Sequence, residues 1–345
     1  MKNRIAGLGF AALLATGAYP TQAQEPTPIN VSYQPALYWA LPFHLATEMG
    51  WWAEVGLDPS FSTFPAGAPQ IEADDWDVGG TGSVPSVLGA ARFGLKTIGI
   101  TNDESAANAL MAHNDIIDDL RADPASIAGR SILVSTNSTA DYAVQACLRM
   151  WGVDLGSVEF VHLAQAQIIS AMIARDGDLA GVWAPNTYTL QERADSDTLC
   201  SGADAGATVP GALVVRPAFA EESPDLVARF LAVYLRGWAW AEENPGQARE
   251  MLVDFYAYDG VEISDAAVEA EFDLRPTFGL EEQLAILDRS DGTSDVDAWL
   301  TEIGEFMTDF GTFDVNPEPG DYIDPSFMQM VMDDPELRDF ATLKD

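Results

Sequence analysis

Two short turns in the sequence carry residues that could bind a small anion. The first lies at 74–85, where an acidic approach and a glycine-rich stretch lead to Thr81, Gly82 and Ser83. Ser83 suits a helix N-cap, and Pro85 suits the first helical turn. Backbone N–H groups at a helix start have no partner within the helix, so they can hold an anionic group without a basic side chain. The alternative interpretation is an ordinary strand-to-helix turn.

The second turn has the same character and follows an apolar strand at 131–135. Asn137, Ser138 and Thr139 come next, and a helix is predicted to follow them. Asp141 completes a variant of the capping box. Two polar helix starts in one chain favour a shared binding site over two unrelated turns.

The sequence has no pattern typical of catalysis or metal binding. It contains neither a Ser-His-Asp order nor a phosphate-binding loop. The run 291–297 has several aspartates without the spacing of a helix-loop-helix calcium site, so a solvated turn is the better interpretation. The two cysteines and three histidines lack a zinc-site spacing. We therefore expect a protein that is not an enzyme and that carries no cofactor and no metal.

The N-terminal residues predict export from the cytoplasm. Lys2 and Arg4 precede an apolar run, and a small-x-small cleavage site ends at Ala23. This is the pattern of a signal peptide at residues 1–23, and the run is shorter than the ~20 residues of a membrane span. We expect the mature protein in the periplasm.

Cys147 and Cys200 are the two cysteines of the chain. An oxidising compartment allows a disulfide between them. Cys147 also falls on the apolar face of a predicted helix with Val144 and Leu148, as a buried thiol would. The sequence leaves both states open.

The charge of the chain limits its partners. Asp and Glu number 54 against 17 Lys and Arg, which gives a formal net charge of −37. Such a charge disfavours nucleic acid and anionic membrane surfaces as partners. The acids are spread along the chain, as expected of a protein that stays soluble in a salty habitat.

Strands and helices alternate through the first two thirds of the chain. Strands are predicted at 29–33, 59–64, 97–101, 131–135, 158–163 and 179–183. The segment 102–128 is interpreted as a connection with helices, and helical spacing dominates after residue 217. This order is typical of α/β proteins with a parallel sheet, and the length favours two domains.

Several stretches resemble one family in their order and spacing. They are 38–43, 48–57, 76–85, 129–132, 138–139, 171–185 and 322–324. Together they resemble the taurine/sulfonate/nitrate group of ABC-transporter substrate-binding proteins, which is related to the proteins of thiamine-pyrimidine synthesis. The resemblance covers almost the whole chain after residue 23. Trp51 and Trp52 depart from it, because the family's turn usually carries a phenylalanine there.

The resemblance implies a two-lobed α/β fold of the type II, or Venus-flytrap, class with a helical C-terminal extension. The first lobe is expected from 24–102 and 216–345, and the second from 103–215, with hinges near 101–104 and 210–217. A member of this family is expected to be a monomer that captures a small molecule between its lobes. Its partner is an ABC permease in the inner membrane.

The resemblance also implies which loops supply the ligand contacts, because ligands of open α/β sheets bind at the carboxyl ends of the strands. The expected ligand-binding residues are Tyr38, Trp39, Leu41, Thr81, Gly82, Ser83, Asn137, Ser138, Thr139, Asp141, Trp183, Pro185 and Asn186. Hydroxyls and helix-start amides suit a sulfonate or carboxylate, while aromatic faces suit its carbon chain. His44 lies near the first loop, either as a donor to an anion or as a packed or surface histidine.

These loops contain no Lys or Arg, whereas Asp77, Asp103, Glu104 and Asp141 lie near them in sequence. Acids can pair with an ammonium group, so the pattern favours a zwitterion such as taurine over nitrate. The alternative is that Asp141 is only a capping carboxylate and Asp77 a strand-edge residue. Binders of aromatic carboxylates, quaternary ammonium compounds or pyrimidines remain open, as do an exported enzyme and a sensor's receptor with this fold.

Overall fold

Two five-stranded sheets, joined by two chain crossings, form the framework of the protein. The computed structural model describes residues 25–344, except for the side chains of Tyr38 and Trp39. The predicted signal peptide 1–23 lies outside these residues. The described strands are β1 (Thr27–Tyr33), β2 (Leu57–Thr63), β3 (Val78–Gly82), β4 (Lys96–Asp103), β5 (Asn108–His113), β6 (Ser131–Val134), β7 (Glu159–His162), β8 (Leu179–Trp183), β9 (Ser196–Ser201) and β10 (Pro210–Val215).

Helices cover both sheets and make up most of the C-terminal third. Up to residue 193 they are α1 (Leu37–Glu48), α2 (Trp51–Glu54), α3 (Gly67–Glu72), α4 (Ser83–Phe93), α5 (Ile117–Ala122), α6 (Thr139–Met150), α7 (Gln165–Ala174) and α8 (Asn186–Arg193). Later they are α9 (Pro217–Glu222), α10 (Pro224–Glu243), α11 (Pro245–Tyr258), α12 (Asp265–Asp273), α13 (Leu280–Ile286), α14 (Asp295–Asp309), α15 (Pro319–Tyr322), α16 (Ser326–Asp333) and α17 (Pro335–Ala341). None of the described helices is both long and apolar enough to cross a lipid bilayer.

The first sheet has the strand order β2-β1-β3-β10-β4. β1 runs parallel to β2 and β3, whereas β10 runs antiparallel to β3 and β4. The predicted second lobe, 103–215, includes β10, but the pairing places this strand in the first sheet. The reason is burial, because Leu213, Val214 and Val215 are all fully buried between their two neighbouring strands.

The second sheet has the strand order β7-β6-β8-β5-β9. β6 runs parallel to β7 and β8, and β5 runs antiparallel to β8 and β9. We call the part built on the first sheet lobe 1 (25–103 and 210–344) and the part built on the second sheet lobe 2 (104–209). The predicted α/β architecture is confirmed, and the helices after residue 217 form the expected C-terminal region.

Strand β5 is missing from the sequence prediction, which interprets 102–128 as a connection with helices. Its sequence is Asn-Ala-Leu-Met-Ala-His, and Ala, Leu and Met favour a helix in isolation. All six residues are buried, because β5 lies between β8 and β9. Burial in the sheet therefore overrides the local preference.

The first predicted ligand loop is also corrected. Helix α1 begins at Leu37, so Tyr38, Trp39 and Leu41 are helical and Pro42 lies inside the helix. Because proline usually occupies a first turn and costs a hydrogen bond further along a helix, the residues around Pro42 by themselves favour a later start. Leu41 is fully buried in the core of lobe 1.

The two chain crossings between the lobes lie side by side. The chain leaves lobe 1 after β4 and returns to it just before β10. The backbone N–H of Glu104 donates to the carbonyl of Val209 at 2.8 Å, and Asp103 is paired with Pro210. Adjacent crossings of this kind allow one lobe to rotate against the other about a common hinge.

A disulfide joins Cys147 of α6 to Cys200 of β9, with the Cα atoms 6.2 Å apart. Both residues are buried. Of the two states that the sequence leaves open, the structure therefore has the bridge. It ties α6, the helix that begins at the second polar turn, to an edge strand of lobe 2.

Replacing both cysteines with alanine should destabilise the protein. The bridge spans 53 residues, and closing a loop of that size restricts the unfolded chain enough to contribute about 4 kcal/mol. Urea unfolding of the Cys147→Ala/Cys200→Ala variant should show a lower midpoint, and wild type treated with a reductant should match it. An unchanged midpoint in both samples would contradict a stabilising bridge.

Candidate ligand-binding site

A small cavity lies where lobe 1 meets lobe 2. Its lining consists of Gln34, Ala66, Gly67, Ala68, Gly82 and Pro85 from lobe 1, and of Glu104, Ser135, Thr136, Asn137, Ser138, Thr139 and Trp183 from lobe 2. The cavity has a volume of about 40 Å³. Its place beyond the carboxyl ends of parallel strands is the usual one for ligand sites of open α/β sheets.

The start of helix α4 forms one wall of the cavity. β3 passes so close to β1 that a Cβ on Gly79 would collide with the carbonyl of Ser32. Gly82 is the N-cap of α4 and offers no side chain to the first N–H groups. Ser83, the predicted N-cap, is instead the first helical residue, and its buried Oγ has no hydrogen-bond partner among the described residues. The α4 start therefore keeps hydrogen-bonding capacity next to the cavity.

The start of helix α6 forms the facing wall. Ser138 is its N-cap, as the capping-box pattern indicates. The Ser138 hydroxyl accepts from the N–H of Asp141 at 3.2 Å and donates to the carbonyl of Ser135 at 2.8 Å. Asn137 adopts a left-handed conformation with φ of 54°, and its Oδ1 accepts from Thr312 of lobe 1 at 3.0 Å. The α6 start is thus held by contacts from both lobes.

The two helix starts approach each other closely across the cavity. A Cβ built on Gly82 would lie 2.8 Å from Cγ2 of Thr139, so glycine is what permits this approach. Each helix N-terminus carries the equivalent of about half a positive charge. The described lining contains no Lys or Arg, so the two helix starts are its source of positive potential.

Glu104 lies on the same lining, at the first chain crossing. Its side chain is buried, with 1% of the residue exposed. Oε2 accepts from Asn108 at 3.3 Å, whereas Oε1 has no hydrogen-bond partner among the described residues. Burial raises the pKa of Glu104 to about 8. The charge of Asp103 also raises this pKa, whereas the hydrogen bond from Asn108 lowers it. The carboxyl is therefore mostly neutral at pH 7, and a neighbouring cation would favour its ionised form.

Polar groups continue behind the cavity, where α12 of lobe 1 packs against lobe 2. Arg275 pairs with Glu271 at 2.7 Å and donates to the carbonyl of Ala184 at 3.3 Å. Tyr188 packs in the same layer with Ala267. These contacts support the end of β8, which carries Trp183.

The cavity brings together part of the predicted site. The predicted residues on its lining are Gly82, Asn137, Ser138, Thr139 and Trp183. The prediction for Leu41 is corrected, because this side chain packs into the core of lobe 1 and not into the cavity. The side chains of Tyr38 and Trp39 lie outside the described part of the chain.

The other predicted residues lie beside the lining. They are Thr81, Ser83, Asp141, Pro185 and Asn186. Asp141 accepts from Gln145 at 2.8 Å and from the N–H of Asn137 at 3.3 Å. Asn186 donates to Gln165 at 3.1 Å. The contacts of Asp141 and Asn186 fix the shape of the two lobe 2 turns.

Sequence reasoning missed Gln34 and the segment 66–68. Gln34 directly follows β1 and is hydrogen-bonded to Gln70, and 66–68 follows β2. Both positions lie at the carboxyl ends of parallel strands, so the strand-end rule that selected the turn after β3 also selects them.

Of the four acids near the predicted turns, Glu104 is the one on the described lining. Asp77 accepts from the backbone and side chain of Asn30 at 2.8 and 3.0 Å, at the edge of β3. Asp103 accepts from the N–H of Ser105 at 2.9 Å. Asp77 and Asp141 thus both make hydrogen bonds within their own loops, and neither is on the described lining.

Comparison with known proteins places the chain in a family. A family model described as NMT1/THI5 like matches residues 40–248. The chain belongs to this NMT1/THI5-like family.

Relatives of this NMT1/THI5-like protein are named as binding proteins. The taurine-binding periplasmic protein of Escherichia coli (strain K12) is 30% identical over 227 residues, covering 64% of this chain and 67% of the relative. A Brucella abortus (strain 2308) protein, named as a candidate binding protein, is 26% identical over 302 residues, covering 86% and 89%.

A solved structure shows the same two-lobed arrangement. The periplasmic aliphatic sulphonate binding protein SsuA from Escherichia coli matches with a TM-score of 0.70 at 17% identity, covering 87% of this chain and 92% of that chain. At this identity the match concerns the fold. The expected binding-protein fold with its C-terminal helices is confirmed.

Gly82→Ala should hold the lobes apart. The new methyl group would meet Thr139 only when the lobes are together, and overpacking of this kind costs about 1–3 kcal/mol. Calorimetry with a ligand that occupies the interlobe cavity should show about tenfold weaker binding, with little change in the melting temperature of the ligand-free protein.

The matched control is Gly82→Ala/Thr139→Ser, which removes the Cγ2 that the new methyl group meets. Affinity should largely return in this double variant. Equal weakening with and without Thr139→Ser would show that the effect does not come from this contact.

Proposed function

We propose that this NMT1/THI5-like protein is the periplasmic solute-binding component of an ABC importer, and that it captures a small organosulfonate carrying an ammonium group, such as taurine. One observation carries the proposal. A single interlobe cavity combines two facing helix starts with the buried carboxyl of Glu104. The helix starts suit an anion, and the carboxyl suits a cation.

The helix starts suit a sulfonate because its oxygens can each accept hydrogen bonds. Donors for them are the first N–H groups of α4 and α6. The Ser83 hydroxyl, buried and without a described partner, is a further donor at the start of α4. Trp183 offers an apolar face to the carbon chain between the two charged groups.

Glu104 suits the ammonium group for a complementary reason. Its Oε1 is buried and has no described partner, so an N–H donor placed there would satisfy it. An ammonium would also favour the ionised carboxylate over the neutral acid. Ligand binding is then coupled to the release of a proton from Glu104.

The relatives support the location and the partner. The Escherichia coli relative is named as taurine-binding and periplasmic, and the SsuA structure is that of a periplasmic binding protein. The predicted signal peptide and the disulfide agree with an oxidising compartment outside the cytoplasm. We infer that the protein acts as a monomer and delivers its ligand to an ABC permease in the inner membrane.

Closure of the lobes is part of the proposed cycle. Tyr142 of lobe 2 packs edge-on against Phe306 of lobe 1 with ring centroids 5.1 Å apart, and Arg149 pairs with Asp309 at 3.6 Å. Because the enclosed volume is only about 40 Å³, the lobes must separate to admit a ligand. Rotation about the two adjacent crossings would open these contacts together.

A thermal-shift experiment with matched ligands tests the function. Taurine at about 100 times its dissociation constant should add ~2.7 kcal/mol to the stability of the folded protein, which raises the melting temperature by several degrees. Ethanesulfonate, which lacks the ammonium group, should give a smaller shift at equal concentration. Taurine should be recovered unchanged, as expected of a receptor rather than an enzyme. A shift only with aromatic acids or pyrimidines would contradict the proposed ligand class.

The affinity for taurine should rise with pH. Because the pKa of Glu104 is raised to about 8, the neutral acid predominates below this pH and must lose its proton to pair with an ammonium. Affinity should therefore increase about tenfold from pH 6 to pH 7 and then level off above pH 8. Ethanesulfonate should show the opposite trend, since ionised Glu104 repels an anion.

Glu104→Gln should abolish both trends in calorimetric titrations. The matched control is Glu72→Gln, which removes one carboxylate from the surface of lobe 1. It should leave both trends intact. A taurine pH profile that persists in Glu104→Gln would remove Glu104 from the proposed ammonium site.

A further inference from the structure

A second, larger pocket opens on lobe 1, away from the interlobe cavity. It is lined by Tyr33, Ala40, Phe43, His44, Thr47, Glu48, Phe61, Thr63, Phe255 and Tyr258. The pocket has a volume of about 330 Å³, within the usual range of small-molecule sites. No function described above uses it.

Aromatic rings make up much of its wall. Phe61 lies 6.1 Å from Tyr33 and 6.4 Å from Phe43, measured between ring centroids, and Phe255 lies 6.3 Å from Tyr33. Tyr33, Phe43 and Phe255 are buried beneath the surface, whereas Phe61 is 38% and Tyr258 85% exposed. The pocket thus has a rigid aromatic floor and an open aromatic rim.

Acidic groups surround this aromatic wall. Glu48 is on the lining. The charges of Glu48, Asp254 and Asp259 are all near enough to His44 to raise its pKa. Asp259 also acts on Tyr33, and its buried Oδ2 has no hydrogen-bond partner among the described residues. Burial lowers the pKa of His44, so the imidazole adds no positive charge at pH 7. The described lining contains no Lys or Arg.

The pocket is separated from the interlobe cavity by the first sheet. Tyr33 is the last residue of β1 and Gln34 directly follows it, and successive side chains of an extended chain point to opposite faces. Tyr33 packs with Phe43 and Phe255, whereas Gln34 is hydrogen-bonded to Gln70 and lines the interlobe cavity. The two sites are therefore on opposite faces of the sheet.

We infer that this lobe 1 pocket is a second ligand site, which binds a small organic cation with an apolar body. The aromatic faces attract a cation through their negative π-surfaces, and the surrounding carboxylates add charge complementarity. Glu48 gives the cation a carboxylate on the described lining of the pocket itself. The site is independent of the interlobe cavity and of the proposed sulfonate ligand.

Binding of benzyltrimethylammonium, followed by ligand-observed NMR and calorimetry, tests this inference. Benzyl alcohol is the matched neutral probe and should bind more weakly. Tyr258→Ala should weaken binding of the cation about two- to fivefold, and Phe61→Ala/Tyr258→Ala about tenfold or more. Tyr258 is mostly exposed, so its truncation leaves the fold intact. Glu48→Gln removes the carboxylate of the lining, so it should weaken binding of the cation and leave binding of the alcohol unchanged.

Two variants serve as controls. Phe93→Ala removes an aromatic ring with 40% exposure at the far end of α4 and should have no effect. Glu104→Gln should also have no effect, because the cation is not expected in the interlobe cavity.

Three results would overturn the inference. They are the absence of saturable binding, equal binding of the neutral alcohol, and loss of binding in Glu104→Gln with retention in Phe61→Ala/Tyr258→Ala. A failure of taurine to bind would leave the inference standing, so the two proposals fail separately.

Discussion

The antiparallel pairing of β10 between β3 and β4 is the constraint on which the ligand site depends. It returns the chain to lobe 1, so two crossings run side by side and Glu104 is fixed at their junction. It also leaves the carboxyl ends of the parallel strands in both lobes facing one cleft. Helices α4 and α6 therefore start opposite each other. They are so close that any residue other than glycine at position 82 would displace Thr139.

Local electrostatics in the cleft differ from those of the whole molecule. The net charge of −37 works against anion binding, but exposed charges beyond about 8 Å are screened at physiological ionic strength. Within a few ångströms the two helix starts dominate, because the described lining has no other positive group. Burial keeps Glu104 mostly neutral until a cation approaches, so the one acid on the described lining does not repel an anion at pH 7.

Local signals predicted those parts of the fold and site that depend on neighbouring residues. The N-cap role of Ser138 followed from its spacing to Asp141, and strand β8 was predicted with the bounds that the structure shows. Strand β5 was missed because its residues prefer a helix unless a sheet buries them on both sides. Leu41 was expected at the ligand site from the family resemblance, whereas the structure places it in α1 and buries it in the lobe 1 core.

The sequence by itself determined the α/β class, the two polar helix starts and the family resemblance, because each of these depends on periodicity, capping and motifs within short stretches. Tertiary structure alone decided which strand ends share a cavity, that β10 belongs to lobe 1, and that Cys147 meets Cys200. It also decided that Glu104, among four nearby acids, is buried on the lining. These outcomes depend on contacts between residues far apart in the chain, and their energies come from burial that no local pattern specifies.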